Sequence, residues 1–292
     1  MTAKRPPPPR TRSKADPDVA GASPAVAPPA APTAAPETAA PPASEAADGD
    51  GRDAPFLFRD YVRARDLLLA RIRRGPSYAL VTGPSGAGKS SLRRDVEAAL
   101  DRHRQQLVYL SSSKVTPVGF ARFLALAVRR DPRRSHMETV ADLAKTLRAQ
   151  AAHLVVWVDE ADQVPVDTLT ELRILAECDQ DAPQIFSLVL SGLPELLARL
   201  DAPGLAALRR RIDLRCALTG LARDELAPFL ARRLGDGDAR RIPSTVHDEL
   251  FERTQGVPAL VHKAAQAALD LAGERRVVTE EWLRAAFDAV GL

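Results

Sequence analysis

Cysteine and aromatic residues are scarce in this 292-residue chain, and long apolar runs are absent. The two cysteines, Cys178 and Cys216, lack metal-ligand spacing, so we expect reduced core residues rather than a structural disulfide. The absence of any run of about 18 apolar residues excludes a transmembrane helix. Prolines at positions 6–9 stand where the apolar segment of a secretory signal would begin. These absences predict a soluble, cytoplasmic protein with no membrane contact.

The first 54 residues differ in composition from everything that follows. They hold 12 of the 24 prolines, alanine is their main apolar residue, and no aromatic residue precedes Phe56. Such a segment buries too little apolar surface to offset the entropy of ordering its backbone. We therefore predict a disordered Pro/Ala-rich tail over residues 1–54 and a folded region from residue 55 onward.

A phosphate-binding motif is the strongest signal in the folded region. The stretch from Gly83 to Ser90 fits G-x-x-x-x-G-K-[ST] at every fixed position, between a short apolar strand and a segment with helical spacing. Glycines let backbone N–H groups turn inward, and the start of a helix adds positive potential, so this arrangement binds phosphate. The predicted nucleotide-binding residues are Gly83, Pro84, Ser85, Gly86, Ala87, Gly88, Lys89, Ser90 and Ser91.

Two residues of this motif have specific chemical roles. Lys89 is a mobile point charge that reaches the β- and γ-phosphates, and we count it among the catalytic residues. The hydroxyl of Ser90 is a ligand for Mg²⁺. Because residues of a phosphate loop contact no base edge, the motif predicts a nucleotide without identifying its base.

A pair of acids, Asp159 and Glu160, directly follows an apolar run typical of a central parallel strand. An acid at the carboxyl end of a strand beside a phosphate loop holds hydrated Mg²⁺, which is the role we assign to Asp159. Glu160 is then free to orient and deprotonate the attacking water as a catalytic residue. Taken alone, the pair also fits a solvated strand end; together with the loop it predicts nucleotide hydrolysis.

The order of the apolar runs predicts an α/β fold. Strand-like segments lie at 78–82, 106–111, 154–158, 185–190 and 212–218, with helical patterns between them and only helical patterns afterwards. Strands that alternate with helices form a parallel sheet, and ligands bind at the carboxyl ends of its strands. We predict a three-layer αβα nucleotide-binding core with a five-stranded parallel sheet over residues 55–220, and a small all-helical lid over residues 221–292.

The combined motifs resemble those of the AAA+ ATPases, a family of P-loop NTPases, over roughly residues 56–290. The phosphate loop, the Asp-Glu pair, the polar end of the next strand and the helical lid carry this resemblance. The stretches LSGLPEL at 190–196, RI at 211–212 and GVPA at 256–259 are similar to a narrower branch. That branch includes ORC-type proteins, the transposition regulators MuB and TniB, and the secretion ATPase ExeA. The resemblance implies ATP and Mg²⁺ as cofactors.

The resemblance also implies roles for single residues. Ser191 stands where a catalytic polar residue holds the attacking water or the γ-phosphate, and a strand cap is its alternative role. Arg211 matches an arginine finger, which reaches the ATP of a neighbouring subunit and so implies a homo-oligomer. Similar proteins have a lid arginine after Pro258, where this chain has Ala259. Lys263, one helical turn further on, is either a substitute for that arginine or a solvated residue.

Positive charge is concentrated in the predicted core. Residues 55–218 carry 25 Lys/Arg against 19 Asp/Glu, and their arginines form clusters able to grip phosphate backbones. An ordinary solvated surface is the alternative for every cluster, and a DNA-facing patch is a further alternative to a finger for the third cluster. The clusters are Arg63, Arg65, Arg71, Arg73 and Arg74; Arg129, Arg130, Arg133 and Arg134; and Arg209, Arg210 and Arg211.

Two functions remain open at this point. The first is a slow, DNA-associated ATPase that assembles as an ATP-dependent oligomeric switch on duplex DNA and regulates a transposase or a replication protein. The second is a nucleotide-gated adaptor for a protein partner, for example in secretion, that uses no DNA. Binding of duplex DNA at low salt separates the two hypotheses. The sequence identifies neither the partner nor the size of the oligomer.

Overall fold

One parallel sheet of five strands organises the computed structural model, which describes residues 55–111, 114–177, 184–274 and 276–292. This confirms the predicted five-stranded parallel sheet. The predicted tail over residues 1–54 and Cys178 lie outside the described residues. Across the sheet the order is β2 (Gln105–Leu110), β3 (His153–Val158), β4 (Phe186–Gly192), β1 (Tyr78–Thr82) and β5 (Ile212–Ala217).

Helices precede, separate and follow the strands. The helices of the sheet region are α1 (Arg59–Arg74), α2 (Lys89–Ala99), α3 (Pro117–Ala127), α4 (His136–Ala149), α5 (Val166–Glu177), α6 (Leu196–Arg199) and α7 (Ala206–Arg211). The helices after β5 are α8 (Leu226–Leu234), α9 (Asp236–Ala239), α10 (His247–Thr254), α11 (Pro258–Ala272) and α12 (Glu280–Val290). The described chain after β5 has no strand, which confirms the all-helical lid.

The strands alternate their side chains between two hydrophobic cores, one on each face of the sheet. On β1, Ala79 and Val81 belong to the core shared with α1 and α2. Tyr78 and Leu80 belong to the core shared with α3, α4 and α5. This period of two follows from the pleat of a strand, and helices on both faces explain why β1, β3 and β4 are buried almost throughout. The predicted three-layer core is therefore confirmed.

The core on the α1 and α2 face continues into the lid without a break. Phe229 of α8, Val261 of α11 and Phe287 of α12 are buried members of the same cluster as the residues of α1. Thr279 caps the start of α12, and its Oγ1 accepts a hydrogen bond from the Trp282 backbone N–H at 3.4 Å. Shared apolar burial thus holds the lid on the sheet region.

The segment that leads from β5 into the lid passes close to the end of β1 and to the turn before α11. The Leu218 backbone N–H donates to Thr82 at 2.7 Å, and the Leu221 N–H donates to Gly256 at 2.8 Å. Gly220 has a φ of 118°, and a Cβ there would lie 2.7 Å from the Gly256 carbonyl oxygen. A residue without a side chain is required at this close approach. The first lid residues are therefore held against the turn that precedes α11.

Candidate functional site

The phosphate loop joins β1 to α2 at the carboxyl edge of the sheet. Gly86 and Gly88 have φ angles of 82° and 97°, in the left-handed region that favours glycine. Gly83 passes so close to the end of β5 that a Cβ would lie 2.6 Å from the Leu218 carbonyl oxygen. The glycines of the motif therefore stand where the backbone must turn or make a close approach. As a result, the start of α2 faces an open cavity.

Lys89, the first residue of α2, folds its side chain back over the phosphate loop. Its Nζ donates hydrogen bonds to the carbonyl oxygens of Gly83 at 2.7 Å and Pro84 at 2.9 Å. Burial lowers the pKa of Lys89, while the negative charges of Asp159 and Asp162 oppose this shift. The ammonium group is thus held at the loop by carbonyl groups, and phosphate oxygens are stronger partners for it.

Asp159, directly after β3, is held by donors on both of its carboxylate oxygens. Its Oδ2 accepts from Ser90 Oγ at 3.4 Å and from the Tyr109 hydroxyl at 3.1 Å. Its Oδ1 accepts from Ser191 Oγ at 2.5 Å and from the Glu160 backbone N–H at 3.1 Å. The residue is only 8% exposed. The structure therefore brings together Ser90 and Asp159, the two oxygen donors that the sequence assigns to Mg²⁺.

Ser191 lies near the end of β4 and is fully buried. Its hydroxyl donates to Asp159 and accepts a hydrogen bond from Trp157 Nε1 at 3.0 Å. Because both polar groups are satisfied, they can remain buried beside the apolar core. The structure places Ser191 behind Asp159 rather than on the wall of the cavity. Its geometry is that of a positioning residue that acts through the carboxylate of Asp159.

Tyr109 and Trp157 complete this hydrogen-bonded support, and the sequence patterns missed both. They are register partners on neighbouring strands, Tyr109 on β2 and Trp157 on β3. Burial raises the pKa of Tyr109, and the nearby carboxylate of Asp159 raises it further, so the hydroxyl remains a donor at neutral pH. Both lie in segments whose pattern predicts only apolar strands. The pairing of β2 with β3 brings Tyr109 to Asp159, and the pairing of β3 with β4 brings Trp157 to Ser191.

Glu160 extends from the same strand end but has a different backbone conformation. Its φ is 50°, which is uncommon for a residue other than glycine and costs about 1–3 kcal/mol. The Ala161 N–H donates to Ser191 at 2.9 Å, and the Gln163 N–H donates to Glu160 at 2.8 Å, which fixes the turn. Asp159 is buried, whereas the exposed Glu160 lines the cavity. Two adjacent carboxylates are thereby given different environments.

A cavity of about 650 Å³ lies between the phosphate loop and the lid. Residues of the loop, of the strand ends and of the lid form its walls. The sheet-region lining is Ser85, Gly86, Gly88, Lys89, Ser90, Ser91, Asp159, Glu160, Asp162, Gln163, Gly192 and Leu193. The lid contributes Phe229, Arg233, Pro258, Ala259 and His262. Cavities of this volume hold ligands of nucleotide size.

The lid makes direct contact with the phosphate loop at the start of α11. The Ala259 backbone N–H donates to the Gly86 carbonyl oxygen at 3.3 Å. A Cβ added to Gly86 would lie 2.6 Å from the Cβ of Ala259, so this close approach requires glycine at position 86 of the loop. The start of α11 is therefore in direct contact with the phosphate loop.

Two basic residues of the lid, Arg233 on α8 and His262 on α11, reach the cavity although no motif predicted them. Burial lowers the pKa of His262, and the positive charge of Arg233 lowers it further. The Nδ1 atom of His262 is buried and has no hydrogen-bond partner among the described residues. The positive charge of Arg233 makes this side of the cavity attractive to an anion.

Lys263 does not face the cavity. It therefore does not replace the lid arginine of similar proteins, which was one of its two possible roles. Its Nζ donates to the Val290 carbonyl oxygen at 3.1 Å, at the end of α12. Successive residues of a helix point about 100° apart, so a lysine next to a cavity-lining histidine faces elsewhere. The side chain of His262, not that of Lys263, lies on the cavity face of α11.

Arg211 lies at the end of α7 and outside the cavity of its own chain. Within the same triplet, Arg209 forms an ion pair with Asp201. The structure therefore brings the loop, Asp159, Glu160 and Ser191 together but leaves Arg211 apart from them. Any contact of Arg211 with bound nucleotide needs a second copy of the chain.

The donor set fits Mg²⁺. A hydroxyl and a carboxylate supply hard oxygen ligands, and Mg²⁺ in nucleotide sites typically takes one or two protein ligands together with phosphates and water. The described residues contain no group of three or more His, Cys, Asp or Glu side chains placed to hold a metal. Ser90 and Asp159 are therefore suited to share a cation with a bound nucleotide rather than to enclose it.

Comparison with known proteins agrees with this geometry. Residues 72–200 match the family model of the AAA domain. General secretion pathway protein A of Aeromonas hydrophila is 26% identical over 236 residues, which cover 75% of this chain and 42% of that protein. The chain thus spans less than half the length of this relative. The match is consistent with the narrower branch that the motifs indicated.

Solved structures share the fold at low sequence identity. The Aeropyrum pernix ORC1 protein in complex with DNA is similar with a TM-score of 0.56 and 19% identity, over 82% of this chain and 67% of that one. Cdc6p from Pyrobaculum aerophilum is similar with a TM-score of 0.59 and 19% identity, over 81% of this chain and 69% of that one. At such identities the likeness concerns the fold alone.

None of the described helices is both long enough and apolar enough to cross a membrane.

The phosphate loop, the acid pair, the parallel sheet and the helical lid occur together, and a family model matches the central part of the chain. The resemblance inferred from the sequence is therefore confirmed: residues 72–200 match the AAA domain, and the described chain has the fold of the P-loop AAA+ proteins.

Proposed function

We propose that the protein binds ATP with Mg²⁺ in the cavity between the phosphate loop and the lid and hydrolyses it slowly. The observation that carries this proposal is Asp159, which is held by Tyr109 and Ser191 with Ser90 of the loop 3.4 Å away. A carboxylate fixed beside the loop hydroxyl is the arrangement that a magnesium nucleotide requires. The division at residue 220 into a core and a lid belongs to this proposal, as does a cytoplasmic location.

Each wall of the cavity has its own task in the proposed reaction. The loop holds the phosphates, and Lys89 exchanges the carbonyl groups of Gly83 and Pro84 for phosphate oxygens. Mg²⁺, when bound at Ser90 and Asp159, neutralises charge on the phosphates. Glu160 accepts a proton from the attacking water at its exposed carboxylate. Arg233 and His262 face the phosphates from the lid and supply positive charge and a hydrogen-bonding nitrogen.

We further propose that ATP controls assembly of a homo-oligomer on duplex DNA, which regulates a transposase or a replication protein. The position of Arg211 outside its own cavity supports this idea, because a finger must enter the site of a neighbouring subunit. The fold likeness to an ORC1 protein solved in complex with DNA is a second supporting observation. The positive charge of the sheet region is a third.

Steady-state ATP hydrolysis tests the proposal. The rate per subunit is measured over a range of protein concentrations, with and without duplex DNA. We expect the rate to rise with protein concentration, because the finger acts between subunits, and to rise further with DNA. Variants of Arg209, Arg210 and Arg211 to alanine, mixed with the Glu160→Gln protein, identify which arginine acts in trans. A rate that depends on neither concentration nor DNA contradicts the assembled switch.

A nucleotide-gated adaptor for a protein partner is the second candidate. The observation that favours it is the similarity to general secretion pathway protein A, which extends over 75% of this chain. In this case ATP hydrolysis persists without DNA, and duplex DNA neither binds at low salt nor changes the rate. The same assay therefore decides between the two candidates.

A further inference from the structure

A second recess lies at the amino edge of the sheet, opposite the edge where the phosphate loop follows β1. Its volume is about 540 Å³. Three segments form it: the end of α1 with the turn before β1, the loop between α2 and β2, and the end of α4 with the start of β3. We call it the basic crevice, defined by Arg73, Arg74, Arg104, Gln105, Gln150 and His153.

Hydrogen bonds fix the frame of the basic crevice. The loop before β2 is tied to β3, because the His153 backbone N–H donates to Arg104 at 2.8 Å. Asp101 Oδ1 accepts from the His103 N–H at 3.0 Å, and Gln105 Oε1 accepts from the Asp101 N–H at 3.1 Å. The guanidinium of Arg73 donates to Ala99 at 3.3 Å and so links α1 to the end of α2. The arginines are therefore carried by an ordered frame.

The floor of the crevice is electrically neutral. Burial lowers the pKa of His153, and a hydrogen bond to the Ile72 backbone opposes the shift. The ring also shares a hydrogen bond of 3.0 Å with the hydroxyl of Ser187, so it is satisfied by groups of the protein. Ile72, Leu147 and Ile185 supply apolar contact surface. The charge of the crevice consequently resides in the arginines at its rim.

The rim carries three arginines against one acid of the described lining, Asp101. No hydrogen bond or ion pair joins the guanidinium of Arg74 or of Arg104 to another described residue. They stand on different segments, at the end of α1 and in the loop before β2, so they flank the recess from two sides. The side-chain amides of Gln105 and Gln150 add N–H donors between them.

Several of the other arginines singled out in the sequence already face an acid. Arg71 pairs with Asp213, and Arg209 pairs with Asp201. On the α4 side, Arg130 lies 3.9 Å and Arg133 lies 3.5 Å from carboxylate oxygens of Asp142. An arginine already facing a carboxylate attracts a second anion less strongly. Excess positive charge and a recess of molecular size therefore coincide at the basic crevice.

We propose that the basic crevice holds the sugar-phosphate backbone of duplex DNA. This inference rests on the DNA association in the proposed function and assigns the surface that performs it. Guanidinium groups and side-chain amides are the usual donors to phosphate oxygens, and the apolar floor suits a deoxyribose. The crevice reads no base edge, so binding is independent of sequence and strongly dependent on salt. Its place opposite the phosphate loop leaves the nucleotide cavity accessible while DNA is bound.

The test compares two double charge reversals that change the net charge equally. One is Arg74→Glu with Arg104→Glu in the crevice; the matched control is Arg130→Glu with Arg133→Glu beside Asp142. Binding of a fluorescent duplex oligonucleotide is measured by anisotropy over a range of salt concentrations, with the full chain. We expect the crevice variant to bind at least about tenfold more weakly at low salt. The slope of log K against log salt should decrease in magnitude by about 1.8, which corresponds to two lost phosphate contacts.

Four further results complete the experiment. Unchanged affinity of the crevice variant for a fluorescent ATP analogue shows that it is folded. Equal loss of DNA binding in both variants, or loss in the control alone, overturns the crevice as the DNA surface while DNA association stands. Failure of the unaltered protein to bind the duplex at low salt removes DNA association itself. If inorganic pyrophosphate binds the crevice and the duplex does not, the surface serves a small phosphate instead.

Discussion

The two walls of the nucleotide cavity are built in different ways. The loop wall is one contiguous motif with a strand end beside it, and hydrogen bonds to Asp159 hold its polar groups in place. The lid wall gathers side chains from α8 and α11, and it includes a histidine nitrogen without a described partner. We infer that the loop wall is organised before nucleotide binds, whereas the lid wall is completed by the nucleotide.

The largest expected effect tests whether the loop wall performs the chemistry. Replacing Glu160 by glutamine removes the proton acceptor while keeping size and hydrogen bonding, so we expect kcat for ATP hydrolysis to fall by about 10²–10⁴. Affinity for ATP should be retained, because the phosphate loop is unchanged. Single-turnover hydrolysis and equilibrium binding of a fluorescent ATP analogue measure the two quantities. A variant that hydrolyses ATP at the original rate would remove Glu160 from the mechanism.

The second effect concerns the charge of the loop wall. Lys89→Ala deletes an ammonium group that we expect to exchange two carbonyl partners for phosphate oxygens. Loss of charge-assisted hydrogen bonds should weaken ATP binding by roughly tenfold to a hundredfold. Titration calorimetry with ATP and Mg²⁺ measures the change, and a melting temperature without nucleotide checks the fold. Undiminished affinity would show that the phosphates lie elsewhere in the cavity.

The third prediction concerns the lid wall and compares ATP binding by variants of two adjacent arginines of α8, for which we expect a smaller effect. Arg233 lines the cavity, whereas the exposed Arg232 does not belong to its lining. Because water screens a partly solvated guanidinium, Arg233→Ala should weaken ATP binding by about tenfold. Arg232→Ala is the matched control and should leave the dissociation constant unchanged. Equal behaviour of the two variants would contradict a phosphate-facing role for Arg233.

The smallest effect is a pH dependence that arises from His262. In the free protein its pKa lies below the ordinary value because of burial and Arg233, so the ring is neutral at pH 7. Phosphate charge placed beside it raises this pKa, and binding therefore takes up a proton. ATP affinity should increase by a few fold as pH falls toward the ordinary histidine pKa of about 6.5.

The cavity contains other groups that titrate or carry charge, and the control must separate them from His262. Lys89, Asp159, Glu160, Asp162 and Arg233 line the same space, and the nucleotide itself titrates. All of them are common to the unaltered protein and to His262→Gln. The difference between the two binding profiles over pH isolates the histidine. Parallel profiles would show that His262 takes up no proton on binding.

Much of the loop wall could be predicted because its signals are local in the sequence. Residues 83–90 are contiguous, and their glycines stand where the backbone turns or approaches β5. Strands buried on both faces give continuous apolar runs, which is why the three central strands β1, β3 and β4 were predictable. Local patterns also indicated that Asp159 and Glu160 end a strand beside the loop.

The lid wall and the crevice depend on contacts between distant segments, and the tertiary structure alone decided them. Arg233 reaches the cavity only because α8 packs against α11, and the contact of Ala259 with Gly86 holds the start of α11 against the loop. Likewise, the pairing of β2 with β3 brings Tyr109 to Asp159. The sequence determined which segments form helices, strands and the phosphate loop. The tertiary structure determined which side chains of these segments contact one another, because such neighbours are far apart along the chain.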